Sequence, residues 1–227
     1  MVVLRGLTLN GSLGGVNGIT FTGGSAASNT RLYVENCVIS GFSGEGVNFA
    51  RNGALFISDL VAREDGHAIF VDGSPGLPSS ASIDHALLER DVYDGLRINN
   101  ATVAIRNSVA AGNAYVGFYA RANDSGTTAD LSAENCQATG NQQGFAAGGG
   151  SGTARLAMSN SVAHSNSQYG VIVGSNGTVR ASNNTVTGNG FGLYQFASGV
   201  FRSRGNNTVD GNLTAETFGT ITTFGPM

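Results

Sequence analysis

Apolar and polar positions recur along this chain with a period of roughly two dozen residues, the range of stacked repeats. The clearest copy is residues 32–49, LYVENCVISGFSGEGVNF. An apolar anchor, Val34, is followed two places on by Asn36. Apolar or small residues come next, then a Gly/Asn/Ser turn, a Gly, and an apolar–polar–apolar triplet. The equivalent anchors are Leu4, Ile57, Ile83, Ile105, Ala133, Met158, Ala181 and, at the frayed end, Arg204, spaced 22 to 30 residues apart. Units of this length bury their apolar faces only against their neighbours, which predicts a stack.

Each unit splits into three short strands, as Leu32-Tyr33-Val34, Val38-Ile39-Ser40 and Val47-Asn48-Phe49. Strand alternation puts Val34, Ile39, Val47 and Phe49 on one face. The column five places after the anchor reads Leu9, Ile39, Ala62, Leu88, Ala110, Ala138, Ala163, Val186, Val209, with no polar member. The first triplet position reads Ile19, Val47, Ile69, Leu96, Phe118, Phe145, Val171, Leu193. Both columns are expected inside. Three strands per turn, stacked in register, predict an all-β, single-stranded parallel β-helix of about nine turns.

The column two places after the anchor reads Asn36, Asp59, His85, Asn107, Asn135, Asn160, Asn183 and Asn206, with Gly6 in the first unit. A tight bend between strands needs a residue that tolerates left-handed backbone angles, and Asn does. Stacked amides also donate and accept, so this column is expected to form a structural ladder that satisfies polar groups shielded from water. Asp59 beside His85 fits it as an acceptor–donor pair.

Composition narrows the classes. The chain has 227 residues, 41% of them hydrophobic, and 35 are Gly. So much Gly would suit disorder, but a disordered chain needs no phased columns. The expectation is one domain over 1–227, a piece of a longer chain, with an irregular end at 214–227. Net charge is −3 with 12 Arg and no Lys, and no basic run offers a nucleic-acid footprint. No apolar run reaches the ~20 residues of a membrane span, and no signal peptide is visible. Cys37 and Cys136 lie four repeats apart, or about 19 Å at the spacing of stacked strands. A disulfide needs Cα atoms within about 7 Å, so both are expected to be free, core-side thiols. NxS/T sequons such as Asn10-Gly11-Ser12 and Asn100-Ala101-Thr102 arise readily in this composition and matter only in a glycosylating cell.

The strings ENCVISGF, VRASNNTVTGNGFGL and RGNNTVDGN resemble the right-handed parallel β-helix repeat proteins of bacteria, in the pectate-lyase-like group. The resemblance spans nearly the whole chain. It implies right-handedness, as does the rule for parallel crossovers, and an extracellular or cell-surface setting. It also implies a substrate groove along the outward strand beside the loop that precedes the triplet.

That loop is bland in most units and charged in the third and fourth, Arg63-Glu64-Asp65-Gly66-His67 and Glu89-Arg90-Asp91-Val92-Tyr93-Asp94-Gly95. The outward triplet position reads Thr20, Asn48, Phe70, Arg97, Tyr119, Ala146, Ile172, Tyr194. Phe70, Arg97 and Tyr119 on successive rungs form a candidate sugar-binding platform containing a cation. Candidate catalytic residues are Asp65, His67, Asp91, Asp94 and Arg97. Asp65 with Asp91 or Asp94 could flank a glycosidic bond, at ~5–5.5 Å for retention or ~6.5–9.5 Å for inversion. Alternatively, Arg97 could neutralise a uronate while His67 takes a proton, or carboxylates could hold calcium. No metal site is indicated, and the motifs of well-known pectate lyases and any Lys are missing. Arg63, Glu64, Glu89 and Arg90 are expected to form solvated ion pairs.

Two functions follow. One is a carbohydrate-binding or carbohydrate-processing surface on units three to five; an enzyme would be a polysaccharide lyase or a glycoside hydrolase. The other is a structural or surface-display solenoid. A polysaccharide is the expected partner of the first. The outward Val38, Val61, Leu87, Val109 stripe or the open ends could support self-association.

Overall fold

The computed structural model describes residues 1–22, 30–73 and 76–225. They form a parallel β-solenoid without a helix. One side is a nine-stranded sheet running from Ile19–Thr22 to Ala215–Phe218, one strand per turn, so the chain winds about eight full turns from the first of these strands to the ninth. The other two sides join into a sixteen-stranded sheet, because Arg31–Ser40, Ala54–Arg63 and Ser79–Glu89 each run unbroken through the bend between them. In later turns that bend separates two shorter strands, as Ala101–Arg106 and Val109–Ala111.

The register follows the sequence columns. Leu9 pairs with Ile39, Ile39 with Ala62, Ala62 with Leu88, and so on to Val186 with Val209. Ile19, Val47, Ile69, Leu96, Phe118, Phe145, Val171 and Leu193 pair in the same order. Both columns are buried except at Leu9 and Val209 in the first and last turns. Phe118 and Phe145 stack within the core at 5.1 Å. Cys37 and Cys136 are free and buried, and burial pushes the Cys136 thiol up to about 11. Val38, Val61, Leu87 and Val109 are neighbours on the other face and half-buried.

The end of the chain differs from expectation. Ala181 pairs with Ser203, so the last anchor is Ser203 rather than Arg204. The strands Ala215–Phe218 and Ile221–Thr223 lie in the stretch read as irregular and stay in register with Phe191–Gln195 and Val200–Ser203. Residues 226–227 of that stretch lie outside the described residues.

The bend column has the backbone role expected of it. Asn36, Asp59, His85, Asn107, Asn135, Asn160 and Asn183 all have φ between 50° and 55°, and Gly6 and Gly205 close the column at 65° and 80°. Asn206 stands one place beyond it, where its side-chain oxygen accepts the N–H of Asn183 at 2.9 Å. Two amide pairs bond along the column, Asn183 to Asn160 at 2.6 Å and Asn135 to Asn107 at 3.4 Å. The column is exposed, however. Its side chains leave the coil because a left-handed bend turns them to solvent. His85 faces the preceding Asp84 at 2.9 Å instead of Asp59.

The buried ladder lies in a different column, three places after the interior one: Asp65, Asp91, Asn113, Asn141, Asn166, Asn189, Asn212. Each Oδ1 accepts the backbone N–H of its counterpart one turn below, from Phe42→Asp65 at 2.8 Å to Asn189→Asn212 at 3.0 Å. In the five Asn rungs Nδ2 also donates to an interior-column carbonyl: Leu88, Ala110, Ala138, Ala163 and Val186, at 3.0–3.2 Å. A shorter ladder passes through Cys136, Ser161, Asn184 and Asn207.

This ladder explains the repeated Gly. A Cβ at Gly117 would lie 2.8 Å from the Gly144 carbonyl and 3.1 Å from Asn141 Nδ2; at Gly144 the distances to Gly170 and Asn166 are 2.5 and 2.9 Å. The amides pack directly on the backbone, leaving no space for a side chain.

Removing a ladder amide strands buried groups that water cannot reach. Asn166→Ala leaves the buried Asn141 N–H unmet and takes one of two donors from the Ala138 carbonyl, and should cost up to about 3 kcal/mol, since an unmet buried group costs about 1–3. Asn160→Ala, in the exposed column, should cost only the left-handed preference, about 1 kcal/mol. Denaturant melts of the two variants side by side check this; equal losses would refute the assignment.

Candidate functional site

The outer face of the nine-stranded sheet carries the outward row, and direct pairing sets its members one above another. Phe70 pairs with Arg97, Arg97 with Tyr119, Tyr119 with Ala146 and Ala146 with Ile172. The Arg97 guanidinium sits 5.8 Å from the Phe70 ring centre and 5.9 Å from that of Tyr119. Each such contact is worth about 0.5–2 kcal/mol. The expected platform is therefore a sandwich: the rings grip the cation and do not lie open as a flat stage.

The loops contribute a second row. Tyr93 and Tyr115, each two places before its repeat Gly, contact at 5.8 Å, and both rings are about half exposed (47% and 50%). His67 packs against Tyr93 at 5.2 Å and Phe70 at 5.9 Å. Asp94 is buried beneath them. Its Oδ1 accepts the Val116 N–H at 3.0 Å, and Oδ2 lies 3.4 Å from His67 Nδ1 and 3.9 Å from an Arg97 nitrogen.

Between the rows is a pocket of about 270 Å³, walled by Tyr93, Arg97, Tyr115, Tyr119, Arg121 and Gln143, with Asp94 at its base. A depression of about 180 Å³ shares Tyr119 and Gln143 and continues over Ala146, Gly148, Gly149 and Ile172. Together they make a trough along the coil axis. Small residues at Ala146 and Gly148 keep its floor low. Tyr119 donates to the Gly148 carbonyl at 3.1 Å, and burial raises its pKa. Beyond the trough, Tyr169, Phe191, Tyr194 and Phe218 form a cluster in which Tyr194 and Phe218 stack at 4.7 Å.

Two polar groups at the pocket stay unmet. The Nε–H groups of Arg97 and Arg121 are buried and have no acceptor. A depression of about 230 Å³ on the other sheet, over Ala104, Ser132 and Ala157, is mainly apolar and lacks such convergence; its Arg155 is taken by Asp130 at 3.2 Å.

Of the sequence-derived candidates, the structure brings together His67, Asp94, Arg97, Phe70 and Tyr119. Asp65 and Asp91 lie elsewhere. They are 0% and 2% exposed and serve as the two lowest ladder rungs. Neither reaches the trough, so neither stands opposite Asp94 across a bound sugar. Arg90 pairs with Glu64 at 3.2 Å, both largely exposed. Among the described residues no group of three or more His, Cys, Asp or Glu could hold a metal ion.

Sequence reasoning passed over Arg121, Tyr115 and Gln143. Arg121 was reachable, since it is two places after Tyr119 and alternation puts both on one face. Tyr93 and Tyr115 hold the same place in successive loops.

A family described as the right-handed beta helix region matches residues 17–214. The chain belongs to that family. The β-helix thus winds right-handed, as the parallel coil leads one to expect. No curated protein and no solved structure matches it. Among the described residues no helix is long and apolar enough to cross a membrane.

Asp94→Ala should leave the β-helix folded but cost about 1–3 kcal/mol, from the Val116 N–H it strands. A chemical melt measures this, and an unchanged midpoint would show that the bond carries nothing.

Proposed function

We propose that this β-helix binds an acidic polysaccharide in the trough running from Tyr93 to Ile172. The carrying observation is the pair of arginines, Arg97 and Arg121, whose buried Nε–H groups lack acceptors at a pocket edged by half-exposed tyrosines. An unmet buried donor costs about 1–3 kcal/mol, and a carboxylate or sulfate on a sugar would relieve it. The trough runs across the strands, so its polar contacts repeat once per turn, at about 4.8 Å. That suits a linear polymer better than a compact molecule. The similarity to pectate-lyase-like β-helices points to the same outward strand.

Binding without cleavage is the reading the geometry favours. Hydrolysis needs two carboxyl groups facing one bond, and Asp65 and Asp91 are enclosed. Elimination needs a base in reach of the sugar. Asp94 lies under His67 and Arg97, His67 is stacked between Phe70 and Tyr93, and burial holds the Tyr119 phenol protonated. A display role on a cell surface is compatible with this reading and needs no further site.

Affinity electrophoresis through gels containing polyuronate, a sulfated glycan or a neutral glucan tests it. The protein should be retarded by an acidic glycan and not by the neutral one. Arg121→Gln should weaken the retardation at least about tenfold, the loss of one charge-assisted contact, while melting no lower than wild type, since it removes an unmet buried donor. Free migration in all three gels, or equal retardation of Arg121→Gln, would remove the proposal.

A further inference from the structure

The five upper rungs of the buried ladder are Asn, and the two lowest are Asp. In each Asn rung, Oδ1 accepts a backbone N–H from below and Nδ2 donates to a buried carbonyl. Asp65 and Asp91 keep the first role, at 2.8 and 3.0 Å. Their Oδ2 atoms stand where the amide nitrogen would be, and both are buried without a partner. The register places the Ile39 and Ala62 carbonyls where the Asn rungs find Leu88 and Ala110. A carboxylate oxygen there would face another acceptor, whereas a protonated carboxyl would donate as the amide does.

The charges nearby are of the same sign. Glu64 acts on Asp65, and Asp65, Glu89 and Asp94 act on Asp91. The basic groups of the same loops are engaged elsewhere: Arg63 is exposed, Arg90 pairs with Glu64, His67 faces Asp94, and Arg97 lies between two rings. Burial is the main cause that pushes Asp91 up to about 8 and Asp65 up to about 6.

This pair carries the wall of the trough. The Val92 N–H donates to the Asp65 carbonyl and the Tyr93 N–H to the Gly66 carbonyl, both at 2.8 Å. One turn on, Ala114 donates to Asp91 and Tyr115 to Tyr93, both at 3.0 Å. Tyr93 and Tyr115 are thus positioned by the backbone that Asp65 and Asp91 anchor.

We infer that Asp65 and Asp91 form a pH-sensitive latch: as neutral acids they complete the ladder and hold the loop 91–95, and ionisation of Asp91 loosens that loop and the tyrosine wall. The meaning of such a switch for a ligand rests on the trough reading, but the latch itself does not. The folded chain keeps a proton that the unfolded chain releases near 3.8. Its contribution to stability is therefore full below about pH 4 and is lost as pH rises towards about 8.

The experiment compares wild type, Asp91→Asn and the reciprocal Asn113→Asp in thermal melts from about pH 4 to about pH 8, with amide hydrogen exchange near the upper end. Asp91→Asn should melt at least about 4 °C above wild type near pH 8, and the gap should close on acidification. Asn113→Asp should melt lower near pH 8 and recover in acid. The Val92 and Tyr93 amides should be better protected in Asp91→Asn, while those of the upper turns stay unchanged. Asp91→Asn melting at or below wild type near pH 8, or failing to fold, would overturn the latch, because an isosteric amide would then not replace the acid. Protection gained evenly along the coil would overturn the local loosening. No glycan enters either readout, so failure here leaves the trough proposal standing and failure there leaves the latch.

Discussion

A solenoid of short strands has one unavoidable difficulty: at every corner the backbone turns away from its sheet while still enclosed. The N–H three places past the interior column then has neither a backbone partner nor water, and such an unmet group costs free energy comparable to a lost hydrogen bond. The buried column from Asp65 to Asn212 answers this once per turn. Its oxygens take the N–H from the turn below, and in the Asn rungs the nitrogens meet a carbonyl of the interior column. Apolar columns supply most of the burial, but they do not fix which turn lies above which, since Ala, Val and Leu tolerate sliding. A side-chain amide bonded on both edges does.

Other features follow from that column. Gly recurs before every triplet except that of Ile69, where Ala68 stands, because the amide lies against its Cα, as the contacts at Gly117 and Gly144 show. Because the corner is pinned, the loops beyond it can vary in length and charge without loss of register. Asp94, Tyr93 and Tyr115 belong to such loops, and they reach the outer face of a sheet whose own register is independently fixed. The trough thus lies along the edge between a pinned corner and a stacked strand row.

Much of this was legible in the sequence. The two interior columns and the outward row are right at every rung, because strand alternation and a fixed period determine them jointly. The bend column is right in backbone and wrong in environment. Asn36 and Asn107 adopt left-handed angles as expected, yet that conformation turns the side chain outward. The ladder was harder to see. Its members sit in the loop, where turn lengths differ by a residue, and two of them are Asp. Charge then suggested Asp65 and Asp91 as surface chemistry, when their place three residues after Ala62 and Leu88 makes them equivalents of Asn113. Counting from the interior column instead of from the Gly would have found them. Arg121 escaped because the platform was read along one column, and a pocket also draws on the column two places further.

Amide hydrogen exchange, followed residue by residue in the native state, addresses the ladder most directly. The backbone N–H groups of Asn113, Asn141, Asn166 and Asn189 should exchange only as slowly as global unfolding permits, although all four lie in loops and not in strands. Exchange at rates typical of exposed turn amides would mean that no side chain holds them, and that the coil is kept in register by something else.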